Sequence, residues 1–165
     1  MGLEQLHRRA ARLVVINRDG RVCLFQCNDP QQPLEQPFWL TPGGGVEPGE
    51  EDLRMTACRE LLEETGHRVQ PSELIGPIAI CEGSWEWRGQ PIYSVDTYFA
   101  LRVDNLAVDY TNQDPIEAEI LGQHGWLSPD EMDASELAVV PKGLAQLVRD
   151  LMARSLSDTP RVLEW

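Results

Sequence analysis

Lysine is almost absent from this 165-residue chain, whose 14 basic residues are 13 arginines and the single Lys142. Aspartate and glutamate together number 27, so the formal net charge is −13. An excess of negative charge of this size repels a phosphate backbone, which argues against general nucleic-acid binding. No apolar run approaches the roughly 18 residues that a membrane-spanning helix needs, so we expect no membrane-embedded segment.

Cysteine is also sparse, and the four residues follow no repeated short spacing: Cys23, Cys27, Cys58 and Cys81. This pattern favours reduced intracellular thiols over a disulfide framework. The first residues lack the basic-then-apolar order of a secretory signal, so we expect a cytoplasmic protein. The length predicts one domain over residues 1–165 that buries roughly 70% of its unfolded surface.

The apolar patterning predicts a mixed sheet. Two β-branched runs at 11–17 and 21–27 are joined through Asp19-Gly20, a strong hairpin signal. A polar, proline-rich loop follows at 28–37, and further strands are expected at 38–40, 74–81, 92–103 and 119–127. Helices are expected from 50 to 65, after Ser128 and from Pro141 onward. We therefore expect an α/β (α+β) fold in which helices sandwich a mixed sheet.

The predicted helix at 50–65 concentrates acidic residues on one face. On a helix with about 100° per residue, Glu63 and Glu64 lie about 60° and 40° to either side of Glu60. Met55, Cys58 and Leu62 fall on the opposite face, which we expect to pack against the core.

Like charges at this spacing destabilise a helix by roughly 0.2–0.5 kcal/mol per pair. They become favourable when a hard cation such as Mg²⁺ binds among them, although a solvated acidic face is a common alternative. The preceding glycines, Gly43 to Gly45, would let the backbone approach a ligand closely.

A set of polar and glycine positions at fixed spacing over 45–67 resembles the signature of the Nudix hydrolases, which cleave nucleoside diphosphates linked to another moiety. The matching residues are Gly45, Glu51, Arg59, Glu60, Leu61, Glu63, Glu64 and Gly66. The flanking stretches at 39–44 and 126–131 also resemble the family, so the likeness covers about residues 10–155.

Two positions depart from the family pattern. His67 occupies the last position of the motif, which is usually aliphatic. The Gly49-Glu50 pair lies one residue further from Arg59 than the family's usual Gly-Glu pair. Strict spacing therefore selects Glu51, whereas the local Pro-Gly-Glu match selects Glu50.

The resemblance implies a Nudix-type α/β/α sandwich and a Mg²⁺-dependent reaction, with Mn²⁺ as a substitute. It implies Glu60, Glu63 and Glu64 as metal ligands. Arg59, a candidate catalytic residue of the motif, lies four residues before Glu63 and can brace that carboxylate. The general base in such enzymes is either a carboxylate of the motif, here Glu64, or one in a loop before the last strand. Glu117 and Glu119 occupy that loop, and a plain solvent-exposed acid is the alternative interpretation for both. We favour the loop because the metal lowers the basicity of a ligated carboxylate, and Glu117 over Glu119 because Glu119 begins the predicted strand.

The implied substrate is a small molecule of the nucleoside diphosphate type, and whether the chain forms a homodimer stays open. Candidate substrate-binding residues are Gly43, Gly44, Gly45, Glu51 and Trp85. Trp85 and Trp87 alternate on a predicted hairpin, where they either stack on a base or pack in the hairpin. Arg8, Arg9 and Arg12 form a local basic run that either reaches substrate phosphates or is solvated.

Two other functions are compatible with this fold. One is a non-catalytic Nudix module that senses nucleotides, although such modules usually lose motif carboxylates that are intact here. The other is an enzyme similar to isopentenyl-diphosphate isomerase, which would need a catalytic cysteine and a differently spaced glutamate.

Overall fold

The computed structural model of the chain describes residues 4–28 and 36–165, in which one mixed sheet is flanked by helices. The strands are β1 (Leu6–Ile16), β2 (Val22–Cys27), β3 (Phe38–Leu40), β4 (Gly43–Gly45), β5 (Ile75–Trp87), β6 (Gln90–Arg102), β7 (Leu121–Leu127), β8 (Val139–Val140) and β9 (Arg161–Leu163). The helices are α1 (Leu53–Thr65), α2 (Pro115–Ile120), α3 (Pro129–Ala134) and α4 (Leu144–Met152), with a short 3₁₀ turn at Pro71–Glu73. The predicted fold class is confirmed.

Strand β1 lies at the centre of the sheet, in the order β8-β3-β2-β1-β6-β5-β9. It runs parallel to β6 and antiparallel to both β2 and the short strand β4, while β7 pairs with β2. Side chains alternate along a strand, so β1 contributes to a core on each face. Val14 packs in the core that includes Leu147 of α4, and Leu13 packs in the core that includes Leu61 of α1.

Two element boundaries differ from the prediction in ways that affect the site. Strand β1 begins at Leu6, five residues before the predicted start, so Arg8 belongs to the sheet. The segment expected to open the last strand at Glu119 is helical, and β7 begins at Leu121. The cause is local, since Asp114 caps α2, Pro115 occupies the first helical position and Glu117 completes a capping box.

Other features agree with the sequence patterns. Asp19 and Gly20 lie in the turn between β1 and β2, and Ser128 caps α3. The predicted loop at 28–37 lies mostly outside the described residues. All four cysteines are free thiols. Within the described ranges, the structure has no helix long and apolar enough to cross a membrane.

Candidate active site

Helix α1 buries the face that carries its carboxylates. Glu60 and Glu64 are only 5% and 3% exposed, and the Gly43 N–H donates a 2.9 Å hydrogen bond to Glu64 Oε2. Met55 is 51% exposed and Cys58 only partly buried, so the predicted core face of this helix was wrong. Desolvation by burial raises the pKa of both buried carboxyl groups. The acidic face is therefore part of an enclosed site rather than a solvated surface.

Arg59 joins the acidic residues of the helix to the loop before it. Its Nε lies 2.6 Å from Glu50 Oε1, and its Nη2 donates to the main-chain oxygen of Gly45 at 2.8 Å. Its Nη1 lies 2.9 Å from Glu60 Oε1 and 3.1 Å from Glu63 Oε2. A planar guanidinium can satisfy several carboxylates at once, so this one side chain fixes the positions of all three.

Glu50, rather than Glu51, is the acidic partner of Arg59 in the loop before α1. Its Oε2 accepts hydrogen bonds from Thr56 Oγ1 at 2.6 Å and from the Glu47 N–H at 3.0 Å. The hydrogen bond from Arg59 lowers the pKa of Glu50 to about 2. Glu51 is exposed to solvent. The local Pro-Gly-Glu match thus identifies the residue that contacts Arg59.

Strand β4 consists of three glycines because charged side chains approach it from both faces. A Cβ atom at Gly44 would lie 2.5 Å from Glu60 Oε1, closer than real Cβ contacts allow. A Cβ atom at Gly45 would lie 2.9 Å from Arg8 Nε. Gly43 has φ of 139°, a conformation that L side chains rarely adopt. Any side chain at Gly44 would therefore displace Glu60.

Glu117 brings a third carboxylate to the buried pair. One oxygen atom from each of Glu60, Glu64 and Glu117 lies within 4.8 Å of the others. Asp114 fixes this part of α2, because its Oδ1 accepts the Glu117 N–H at 2.8 Å. Desolvation, reinforced by the nearby charge of Glu60, raises the pKa of Glu117 to about 7. We call Glu60, Glu64 and Glu117 the carboxylate cluster.

The carboxylate cluster opens into a pocket of about 650 Å³. The pocket is also lined by Arg8, the three glycines of β4, Trp85 and Trp87. The Trp85 ring is 6.3 Å from that of Trp87 between centroids, and the Arg8 guanidinium carbon lies 5.7 Å from the Trp85 ring centroid. Oxygen donors, a cation and flat aromatic rings therefore face one space, an arrangement suited to an anionic ligand that carries a planar ring.

Two of the predicted catalytic and metal-binding carboxylates, Glu63 and Glu119, lie outside the carboxylate cluster. Glu51, predicted to bind substrate, is exposed and does not line the pocket. The Glu63 side chain is 33% exposed and pairs with Arg59, although its charge contributes to the raised pKa of Glu117. Glu119 is exposed near the end of α2, whereas its neighbours Ile116 and Ile120 line the pocket. The structure thus separates the two candidate bases, since only Glu117 lies with the buried carboxylates.

A buried ion pair behind the glycine strand was not found from the sequence. Arg12 Nε lies 3.0 Å from Asp96 Oδ2, and Ser94 Oγ donates to the other carboxylate oxygen at 2.6 Å. Arg12 Nη1 also donates to the main-chain oxygens of Thr41 and Gly43, at 3.3 and 3.0 Å. Arg12 therefore anchors β4. Had the first strand been predicted to begin at residue 6, the alternation of side chains would have placed Arg8 and Arg12 on the same face of the sheet.

The chain matches the family model described as the NUDIX domain over residues 6–151. An RNA pyrophosphohydrolase from Dinoroseobacter shibae is 41% identical over 69 residues, which cover 42% of this chain and 40% of that protein. The chain thus spans about two fifths of the length of this curated relative.

Solved structures share the fold over most of the chain. The NUDIX domain of Shewanella oneidensis NrtR, complexed with ADP ribose, has a TM-score of 0.58 at 20% identity and covers 92% of this chain and 88% of its own. A C. elegans Ap4A hydrolase in a binary complex has a TM-score of 0.54 at 23% identity, with coverages of 89% and 96%. Identities this low indicate the fold alone. Because the family model covers nearly the whole chain, the protein belongs to the Nudix hydrolase family.

Proposed function

We propose that the chain is a Mg²⁺-dependent pyrophosphohydrolase that cleaves the pyrophosphate linkage of nucleoside diphosphate derivatives, with Mn²⁺ as a substitute. The burial of Glu60 and Glu64 is the observation that carries this proposal. Burying a carboxylate is costly unless a cation or hydrogen-bond donors compensate it. Among the described ion pairs, Arg59 contacts Glu60 but no cation contacts Glu64, so a bound cation would offset the cost of ionising this buried carboxyl group.

The donor set of the carboxylate cluster fits a hard divalent cation. Its three side chains offer carboxylate oxygens only, which Mg²⁺ prefers. Glu60 and Glu64 would hold the cation, with Glu63 as a further ligand from the same helix, and Glu117 would stay unligated. When bound, Mg²⁺ would neutralise phosphate charge and lower the pKa of a bound water.

The chain's own residues would orient the substrate and accept the proton. Arg59 keeps Glu60 in place, and the glycine strand leaves room for the side chains of Glu60 and Arg8 at the pocket wall. We assign the proton-accepting role to Glu117, since its raised pKa suits exchange of a proton near neutral pH. Trp85, at the pocket wall, would stack on the base of a nucleotide.

A hydrolysis assay tests this proposal. The panel contains ADP-ribose, Ap4A, ATP and a 5′-triphosphorylated oligoribonucleotide, each with Mg²⁺, Mn²⁺ or EDTA. We expect release of phosphate or mononucleotide from at least one small nucleotide, loss of release in EDTA and recovery when Mg²⁺ is restored. Glu64→Gln preserves the side-chain shape and should lower kcat by several orders of magnitude. Full activity in EDTA would contradict the metal assignment, and binding without turnover would indicate a nucleotide sensor instead.

A further inference from the structure

Arg8 is a pocket cation that makes no direct ion pair in the described part of the chain. Its guanidinium is partly buried, and no described residue forms a hydrogen bond or ion pair with it. Arg12 lies four residues further along β1 on the same face, where it pairs with Asp96 and donates to main-chain oxygens. Desolvation and the charge of Arg12 lower the pKa of Arg8, and the charges of Asp96 and Glu60 offset this only in part, so this site favours an added anion.

The surroundings of Arg8 hold its guanidinium in the pocket wall. The centroid of the Trp85 ring lies 5.7 Å from the guanidinium carbon of Arg8. Gly45 makes room for this side chain, because a Cβ atom at Gly45 would lie only 2.9 Å from Arg8 Nε. Glu60 approaches the same three-residue strand at Gly44. Arg8 and the carboxylate cluster line the same pocket, and the charge of Glu60 acts on Arg8. A chain of phosphates that begins at the carboxylate cluster can therefore extend towards Arg8 within this pocket.

We propose that Arg8 binds a phosphate group of the substrate beyond the pair held at the carboxylate cluster, so that the pocket favours nucleotides with three or more linked phosphates. The inference rests on the proposed function for the nucleotide character of the ligand. A guanidinium presents several N–H donors in one plane and matches phosphate oxygens in pairs. In a chain with a net charge of −13, such a local cation is needed to offset repulsion of a polyphosphate.

Arg9 provides a matched control for this role. It is the next residue on β1, has the same side chain, is exposed and points to the other face of the sheet. We compare the wild type with Arg8→Gln, Arg8→Lys and Arg9→Gln. Isothermal titration calorimetry in EDTA at low ionic strength measures the Kd of ATP, inorganic tripolyphosphate and adenosine for each protein.

The expected result is a loss confined to phosphorylated ligands. Arg8→Gln should weaken ATP and tripolyphosphate binding by roughly tenfold or more, and Arg8→Lys should lose less. Arg9→Gln should stay within about twofold of the wild type, because exposed charges are screened. Unchanged ATP binding by Arg8→Gln, or no tripolyphosphate binding by the wild type, would overturn the proposal. An equal loss for adenosine would show that Arg8 acts only by supporting Trp85.

Kinetics with Mg²⁺ separate this inference from the proposed function. Arg8→Gln should raise KM for ATP or Ap4A more than for ADP-ribose and leave kcat nearly unchanged. Hydrolysis with an unaltered KM in the variant would contradict the Arg8 subsite but leave the proposed hydrolase function supported. If the wild type hydrolyses none of the nucleotides but binds ATP in EDTA in an Arg8-dependent way, the proposed hydrolase function would be contradicted and the Arg8 subsite would be supported.

Discussion

Replacing Glu50 with Gln should destabilise the protein and impair the site, whereas the same change at Glu51 should do neither. Glu50 lies 2.6 Å from Arg59 Nε and accepts hydrogen bonds from Thr56 and Glu47. Glu51 is exposed beside it, so the two variants differ by one position and remove the same charge. The comparison therefore isolates the contact with Arg59 from a general effect of charge.

The magnitude follows from the pKa of Glu50. Without screening by solvent, a fall in the pKa of Glu50 from 4.5 to about 2 corresponds to roughly 3 kcal/mol of stabilisation. Solvent near the ion pair reduces its strength, so we expect Glu50→Gln to lower the free energy of unfolding by about 1–2 kcal/mol. Freed from Glu50, Arg59 should also position Glu60 and Glu63 less well, which should lower kcat by roughly tenfold to a hundredfold. Glu51→Gln should change the free energy of unfolding by less than about 0.5 kcal/mol.

Urea unfolding at several pH values provides the assay. Because the folded-state pKa of Glu50 is depressed, its contribution is fully present above pH 4.5 and is lost as the pH falls towards 2. The difference between the wild type and Glu50→Gln should thus be constant from pH 7 to pH 5 and shrink below that range. Equal stability of the wild type and Glu50→Gln at pH 7, or an equal loss in Glu51→Gln, would refute this reasoning.

Two further substitutions test the pocket, each with a control. Glu117→Gln should lower kcat by roughly 10²–10⁴ at saturating Mg²⁺, whereas the exposed Glu119→Gln should retain wild-type turnover in the same assay. Near-normal kcat in Glu117→Gln would transfer the proton-accepting role to Glu64. Trp85→Ala should raise KM for nucleotides by roughly fivefold to a hundredfold, the range of base stacking, whereas Trp85→Phe should retain most of the affinity in steady-state kinetics. An unchanged KM in Trp85→Ala would place the base elsewhere.

The sequence predicted the long elements and the motif because these leave strong local signals. The alternation in β6 extends over many residues, and the Asp19-Gly20 turn joins two β-branched runs. The spacing of the motif predicted that Arg59, Glu60 and Glu64 lie on one helix, as they do in α1. The short strands β8 and β9 were not predicted because two or three residues show no periodicity, whereas β3 was predicted from its three consecutive apolar residues.

The orientation of α1 could not be read from its hydrophobic residues. The projection placed Met55 inside and the carboxylates outside, as burial of apolar area alone would dictate. In the structure, a main-chain donor at Gly43 and the guanidinium of Arg59 provide partners for Glu64 and Glu60 inside the fold. The Gly43 donor lies 21 residues before Glu64, and Arg59, although adjacent to Glu60, is held by Glu50 of the preceding loop. The pattern of apolar residues along the helix does not report either contact.

An acidic chain can bind the anionic ligand that we propose because the carboxylates and the arginines occupy different parts of the pocket lining. At physiological ionic strength the Debye length is roughly 8 Å, so most exposed carboxylates act weakly on a ligand in the pocket. The groups that line it decide the local potential, and those near β4 are the carboxylate cluster on one side and Arg8 with Arg12 on the other. Ionised carboxylates of the cluster repel phosphate until a cation neutralises them, whereas Arg8 attracts phosphate at all times and Arg12 is neutralised by Asp96. Binding of metal and of a polyphosphate at these two surfaces should therefore reinforce each other.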